Sequence, residues 1–171
     1  ALFGVKQFLQ KSGNWILIHV DSGYDDIYLE RLIFRHKRGG AYLIADAYSG
    51  KTDQLRATND TFRALSGKNK DTLEINDPDI TGTDIIGIHS NADLIVYMGH
   101  HFFGYDGYID NHNNIDDVTR DVILLACVTN KMCSSIEKAN ANPLILTKQF
   151  MAPEAYTLDN VLEGWLIGED K

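Results

Sequence analysis

Short apolar runs alternate along the chain with longer segments in which apolar residues recur at helical spacing. The runs are rich in β-branched residues and predict strands at residues 15–20, 41–46, 93–98, 122–126 and 143–147, with weaker candidates at 27–34 and 85–88. The helical spacing predicts helices at residues 1–11, 51–65 and 129–139, and one that starts at Pro153. We expect the strand at 41–46 to be buried, and the strand at 27–34, which carries Glu30 and Arg31, to lie at a sheet edge.

The alternation of strands with helices predicts an α/β fold, with a mostly parallel sheet flanked by helices on both faces. A length of 171 residues indicates a single domain over residues 1–171. The chain starts at Ala1 without an initiator Met, so we expect that a leader has been removed or that an N-terminal segment is missing.

Two of the predicted strands lead into residues that have the chemistry of a catalytic pair. The run at 93–98 is followed by Gly99, His100 and His101, and the run at 121–126 is followed by Cys127. Both runs are mainly apolar and lack Pro, which is typical of buried strands in a parallel sheet. Neighbouring parallel strands would place His100 and Cys127 side by side at the carboxyl edge, where open α/β sheets build their sites.

A thiol beside an imidazole is the combination that cysteine nucleophiles use, with the histidine as the base. Cys127 precedes a predicted helix, and the first backbone N–H groups of a helix favour a thiolate. The backbone N–H groups of His101 and Cys127 are candidates for an oxyanion hole. These features predict a cysteine peptidase or amide hydrolase that uses a His100–Cys127 dyad.

The charge of the chain narrows the choice of partner. A net charge of −8 argues against a nucleic-acid partner, because phosphate binding needs a basic surface. No apolar stretch approaches the roughly 20 residues of a membrane span, so we predict no membrane span. We expect a peptide or protein substrate and no cofactor, and the sequence leaves the oligomeric state open.

The segments Met98-Gly99-His100-His101 and Leu125-Ala126-Cys127 resemble the caspase-like clan of cysteine peptidases (clan CD), which includes caspases, legumains, clostripain and gingipains. In that clan an apolar strand ends in His-Gly and a later one ends in Ala-Cys. The resemblance covers residues 41–147 and implies a caspase/legumain-like three-layer sandwich. This chain has His101 where the clan usually has glycine, and its loop before Arg120 is shorter than in most caspases.

A second resemblance spans nearly the whole chain. The segments at 42–50, 97–100, 125–127 and 151–158 resemble an uncharacterised family of bacterial proteins, whose members tend to be longer at the N-terminus. This resemblance implies no particular activity. It does imply a bacterial protein, which we expect in the cytoplasm or, after removal of a leader, in the periplasm or outside the cell.

Two aspartates are candidates for substrate binding. Asp46 follows a predicted strand at the sheet edge that carries His100 and Cys127. It would either bind a basic side chain of the substrate or cap the turn that follows it. Asp106 lies in the loop after His101 and is the second candidate.

The second cysteine, Cys133, is expected to pack in the core together with Met132 and Ile136 of the same helix. Its spacing of six residues from Cys127 makes a disulfide between the two unfavourable. Cys127 itself has an alternative role as an inert core cysteine.

Two alternatives to a cysteine peptidase remain open. In a metal-assisted hydrolase, His100, His101 and His112 would bind zinc with Asp106 or Asp110, although we predict that no transition metal binds there. In a catalytically inactive caspase-like binding or assembly module, the aromatic loop 102–108 would contact a partner. That loop contains four aromatic residues: Phe102, Phe103, Tyr105 and Tyr108.

Overall fold

The computed structural model describes residues 4–23, 28–38, 40–79, 81–100, 112–152 and 154–168. In chain order the elements are α1 (Val5–Ser12), β1 (Trp15–Asp21), β2 (Glu30–His36), β3 (Tyr42–Ala47), α2 (Gln54–Leu65), β4 (Lys70–Ile75), β5 (Asp84–His89), β6 (Leu94–Met98), β7 (Arg120–Leu125), a 3₁₀ helix (Thr129–Met132), α3 (Cys133–Lys138), β8 (Ala141–Leu146) and α4 (Ala155–Leu166). They form two compact units: unit 1 combines Ala1–Ser49 with Pro153–Lys171, and unit 2 is Gly50–Ala152. The single domain over residues 1–171 stays a prediction.

Unit 1 is built on an antiparallel sheet in the order β1-β2-β3. The expectation that the second strand lies at an edge is wrong, because β2 is the central strand and Leu32, Ile33 and Phe34 are buried in succession. The expected burial of the third strand is also wrong. Every residue of β3 is only partly buried, because β3 ends the sheet among the described strands and is covered less completely than β2.

The helix α4 contacts the sheet of unit 1 through two polar pairs. The indole N–H of Trp15 donates to Asp159 Oδ1 at 2.9 Å, and His36 Nε2 lies 2.9 Å from Glu163 Oε1. Asp159 and Glu163 are one turn apart on α4, so both reach the same side of the sheet. Burial raises the pKa of the Asp159 carboxyl, and the hydrogen bond from Trp15 partly opposes that rise.

Unit 2 contains an antiparallel hairpin, β4-β5, and a three-stranded parallel sheet in the order β6-β7-β8. The mixed α/β class is confirmed, but the prediction of a mostly parallel sheet is wrong. Five of the eight described strands pair antiparallel, because the segments 15–47 and 70–89 contain turns that return each strand directly beside the previous one.

The strand β7 is the core of the parallel sheet, and Val122–Ala126 is almost completely buried. Val122, Leu124 and Ala126 alternate onto one face, where they belong to a single hydrophobic cluster with residues of α2 and α3. The cluster comprises Phe62, Leu65, Tyr97, Val122, Leu124, Ala126, Met132, Ile136 and Ala139. In the described part of the chain, no helix is long and apolar enough to cross a membrane.

A buried arginine fixes the start of β7. Arg120 is 2% exposed and donates from Nε to the Ser90 carbonyl at 2.7 Å, from Nη1 to the Leu65 carbonyl at 3.2 Å and from Nη2 to Asp116 Oδ2 at 2.6 Å. Lys70 Nζ also lies 2.9 Å from Asp116. The bond with Arg120, helped by Lys70, holds the pKa of the Asp116 carboxyl well below its usual range.

Gly67 makes room for this carboxylate. A Cβ atom built on Gly67 would lie 2.5 Å from Asp116 Cγ, and the φ angle of +83° is one that L residues rarely adopt. Gly67, which follows α2 directly after Ser66, therefore lets the 112–119 segment approach the end of this helix.

Replacing Asp116 with Asn keeps the shape of the side chain but removes the charge opposite Arg120. We expect the free energy of unfolding near pH 7 to fall by about 2–3 kcal/mol, because a buried cation loses its counterion. In the wild type, the lowered pKa of Asp116 contributes stability above the unfolded-state value of about 4, and this contribution declines as the pH falls further. The free energy of unfolding of Asp116→Asn should not show this additional decline at low pH.

Denaturant unfolding between about pH 7 and pH 2 measures both effects. Asp117→Asn is the matched control, because Asp117 is an exposed neighbouring carboxylate with a left-handed backbone that Asn tolerates. Equal losses in the two variants would show that the Arg120 cluster does not stabilise the fold.

Candidate functional site

The pairing of β6 with β7 brings the two predicted catalytic residues to the same sheet edge. The strands are parallel and in register from Leu94↔Asp121 to Met98↔Leu125. The Gly99 N–H extends this pairing by donating to the Leu125 carbonyl at 3.2 Å. His100 and Cys127 therefore each follow their last paired residue by two positions at the carboxyl edge, as the sequence predicts.

The thiol of Cys127 contacts the backbone of Met151, which follows β8. The Met151 N–H donates to Cys127 Sγ at 3.4 Å, and the thiol donates to the Met151 carbonyl at 3.5 Å. The sulfur therefore both accepts from and donates to the backbone of one residue, which fixes its position. Cys127 is half-buried, so it is not sealed in the core as an inert cysteine would be.

The residue after Cys127 is held in a strained backbone conformation. Val128 has φ 53° and ψ 37°, in the left-handed region that a β-branched residue rarely enters. Such a conformation costs about 1–3 kcal/mol and persists only where the surroundings enforce it. Strain of this kind is concentrated at functional sites, and here it sets the direction in which the chain leaves Cys127.

Two threonines, the buried Thr129 and the partly buried Thr147, enforce the turn. Thr129 Oγ1 accepts from the Thr147 N–H at 2.8 Å and donates to the Leu124 carbonyl at 3.1 Å. Thr147 Oγ1 in turn accepts from the Thr129 N–H at 3.1 Å and donates to the Ala126 carbonyl. We call this reciprocal pair, Thr129 with Thr147, the threonine clasp, because it ties the segment after β7 to the segment after β8.

The helix predicted after Cys127 begins at Thr129, but it starts with the 3₁₀ helix. Its first donors are already used, since the N–H groups of Val128, Thr129 and Asn130 bond to Gln149 O, Thr147 Oγ1 and Thr147 O. The expectation that these N–H groups favour a thiolate is therefore wrong. The Cys127 N–H remains the oxyanion donor that the sequence predicts on this strand.

The backbone of His100 is held by the side chain of Tyr97. The Tyr97 hydroxyl donates to the His100 carbonyl at 2.9 Å, while His100 itself is exposed. Tyr97 is 7% exposed, and burial raises the pKa of its hydroxyl, so the hydroxyl stays protonated and able to donate at working pH.

The contacts of two further predicted residues, Asp46 and Cys133, are defined by the structure. Asp46 forms a bidentate ion pair with Arg31, its cross-strand partner, at 2.6 and 2.8 Å, and this pair accounts for the carboxylate without a substrate. The expectation that Asp46 shares a sheet edge with His100 and Cys127 is wrong, because β3 pairs with β2 in the antiparallel sheet of unit 1, whereas His100 and Cys127 follow strands of the parallel sheet. The role of Asp46 in substrate binding stays a prediction. Cys133 is exposed, so the expected packing of Cys133 is wrong; it is the first residue of α3, and Met132 and Ile136 fill the core beside it. Neither cysteine forms a disulfide.

Several predicted site residues lie outside the described residues: His101, Asp106, Asp110 and the aromatic loop 102–108. The ring of His112 packs against Phe62 with ring centroids 5.1 Å apart. Within the described ranges, no group of three His, Cys, Asp or Glu residues is placed to hold a metal ion. The oxyanion role of His101, the binding role of Asp106 and the metal alternative stay predictions.

Sequence reasoning missed the residues that support the site. The sequence predicted Thr147 only as the end of a strand. Met151 appeared only in a segment that resembles a bacterial family, and Tyr97 only in a strand and in another such segment. Met151 contacts Cys127 through its backbone N–H and carbonyl groups. Every residue type has these groups, so the sequence could not have predicted this contact. The two threonines, each just past an apolar run, were the available signal for the clasp.

A scan against protein-family models and searches of curated proteins and of solved structures gave no match. The chemistry of the site is therefore inferred from its own residues. The resemblance to caspase-like peptidases stays a prediction.

Replacing Thr129 with Val removes one hydroxyl at nearly constant volume and leaves the N–H of the partly buried Thr147 without its acceptor. We expect a loss of about 1–3 kcal/mol in the free energy of unfolding, because the Thr147 N–H and the buried Leu124 carbonyl both lose the hydrogen bond that the Thr129 hydroxyl makes. Amide exchange at Val128 and Asn130 should also accelerate, since the clasp no longer enforces the turn.

Thr61→Val is the control, because Thr61 Oγ1 only bonds back to Ala57 O within its own helix. Hydrogen exchange followed by mass spectrometry reads out the turn directly. Unchanged exchange in Thr129→Val would mean that the clasp does not hold Val128 in its left-handed conformation.

Proposed function

We propose that this protein is a cysteine peptidase or amide hydrolase in which His100 and Cys127 form the catalytic dyad. The parallel register of β6 and β7 supports this proposal most strongly, because it carries both residues to matching positions at one sheet edge. In this proposal the His100 ring and the Cys127 sulfur face each other within about 7 Å, a separation that closes when substrate binds.

The reaction follows from the chemistry of the two groups. His100 takes the thiol proton, and the Cys127 sulfur attacks the carbonyl carbon of an amide in the substrate. The backbone N–H groups of Cys127 and His101 stabilise the oxygen that becomes negative. The His100 imidazolium then protonates the leaving amine, and water hydrolyses the resulting thioester with His100 again acting as the base.

The surroundings of Cys127 determine what His100 must do. The sulfur lies 3.5 Å from the Met151 carbonyl, and the N–H groups at the start of the following helical segment are already bonded, so these groups do not activate it. Activation then depends on the imidazole, which an exposed His100 can supply when it moves against the half-buried sulfur.

We also propose that unit 2 corresponds to the core of a caspase/legumain-like sandwich. In that clan the histidine strand and the cysteine strand are parallel neighbours, and a helix follows the cysteine. The order β6-β7-β8 and the helical segment from Thr129 to Lys138 agree with this arrangement. Peptide or protein substrates are the class that the proposal implies.

Iodoacetamide labelling tests the dyad, and Cys133 is an internal control. Cys133 is the more exposed thiol, so accessibility alone predicts that Cys133 reacts first. We expect the opposite order near pH 6.5, with Cys127 modified about tenfold faster, because the His100 imidazole takes the thiol proton and leaves a more nucleophilic sulfur. Replacing His100 with Ala should slow Cys127 and leave Cys133 unchanged.

Mass spectrometry after brief labelling separates the two sites. If Cys127 reacts no faster than Cys133, and His100→Ala changes neither rate, the dyad does not exist. The binding module that uses the loop 102–108 would then be the better hypothesis.

Cleavage of a peptide library tests the reaction itself. We expect the wild type to cleave a subset of peptides and Cys127→Ala and His100→Ala to lose roughly a thousandfold or more in rate, because the dyad acts as a unit. Cys133→Ala should retain full activity. Cleavage that survives Cys127→Ala and disappears with a chelator would support a metal-assisted hydrolase instead.

A further inference from the structure

Tyr97 occupies a special place in the parallel sheet. It lies on β6, is almost fully buried in the core cluster and yet carries a polar hydroxyl at its tip. The hydroxyl reaches past the end of the strand to the His100 carbonyl, at 2.9 Å. It also contacts the side chain of Thr58, a fully buried residue of α2. Both contacts fix the direction of the hydroxyl.

Gly99 leaves space for this contact. A Cβ atom at Gly99 would lie 3.3 Å from the Tyr97 hydroxyl oxygen, which is tighter than about nine in ten real Cβ contacts, so the hydroxyl would have to move by a few tenths of an ångström. A side chain at position 99 would therefore push against the hydroxyl where it bonds to His100. Gly99 has no requirement for a positive φ, so close approach is the reason for a glycine here.

His100 needs an anchor of this kind, because it lies beyond the last paired residue of β6. Among the described residues, the hydrogen bond that fixes its backbone comes from Tyr97. The imidazole extends from this backbone into solvent. A base that must reach a sulfur on the neighbouring strand benefits from a fixed backbone, because misplacement of about 1 Å is costly in rate.

We propose that Tyr97 is a positioning residue that acts through His100, holding the backbone from which the imidazole reaches Cys127. This inference rests on the proposed dyad and adds to it. It also explains why position 97 carries a tyrosine, since a phenylalanine would pack in the core equally well but would lack the hydroxyl.

The test is a double-mutant cycle on the pH–rate profile of Cys127 alkylation, with wild type, Tyr97→Phe, His100→Ala and the double variant. We expect Tyr97→Phe to slow Cys127 about three- to tenfold near pH 7, the effect of one hydrogen bond, and to shift the midpoint of the profile upward. In the His100→Ala background the same substitution should have no effect. Cys133 should react at the wild-type rate throughout.

Tyr156→Phe is the matched control, because Tyr156 is exposed on α4. Gly99→Ala is a second route to the same change, since it displaces the hydroxyl without removing it and should shift the profile in the same direction. Thermal unfolding of each variant shows whether the fold is intact.

The outcomes separate this inference from the proposed function. If His100→Ala slows Cys127 and Tyr97→Phe does not, the dyad stands and the positioning role is overturned. Equal effects of Tyr97→Phe with and without His100 would also overturn it, because the hydroxyl would then act on the fold alone. If His100→Ala does not change the alkylation rate of Cys127, both the dyad and the positioning role of Tyr97 are overturned.

Discussion

The parallel pairing of β6 with β7 is the constraint on which the candidate site depends. Parallel strands carry their carboxyl ends to one edge, and the bond from Gly99 to Leu125 maintains the pairing beyond the last ladder residues. A shift of one position would move His100 out of line with Cys127 and turn the apolar residues of β6 to the opposite face. Burial of β7 on both faces makes such a shift costly, so the core of unit 2 also fixes the geometry of the site.

Different forces position the two proposed catalytic residues. Cys127 is placed by the threonine clasp, which holds Val128 in a strained turn and leaves the sulfur against Met151. His100 is placed by a single hydroxyl from the core. The nucleophile thus lies in a rigid, over-determined segment, whereas the base is tethered at its backbone and has an exposed side chain. This division suits a dyad in which the imidazole moves and the sulfur does not.

Local pattern predicted much of the fold, because apolar periodicity reports which face of an element is buried. It identified β1, β6, β7 and β8 and the helix α2, and it aligned His100 with Cys127. It failed for β2, whose Glu30 and Arg31 look exposed although Arg31 is buried in an ion pair with Asp46. It also failed for Cys133, because a helix that begins one residue earlier or later presents a different face to the core.

The connectivity of the two units affects how the chain folds during synthesis. Unit 2 is one continuous stretch of chain, Gly50–Ala152, whereas unit 1 needs β1–β3 from before it and α4 from after it. The ribosome therefore releases all of unit 2 before the contacts from Trp15 to Asp159 and from His36 to Glu163 can form. Until then α4 cannot contact Trp15 and His36 of the β1–β3 sheet, and closure of unit 1 becomes a late, long-range step.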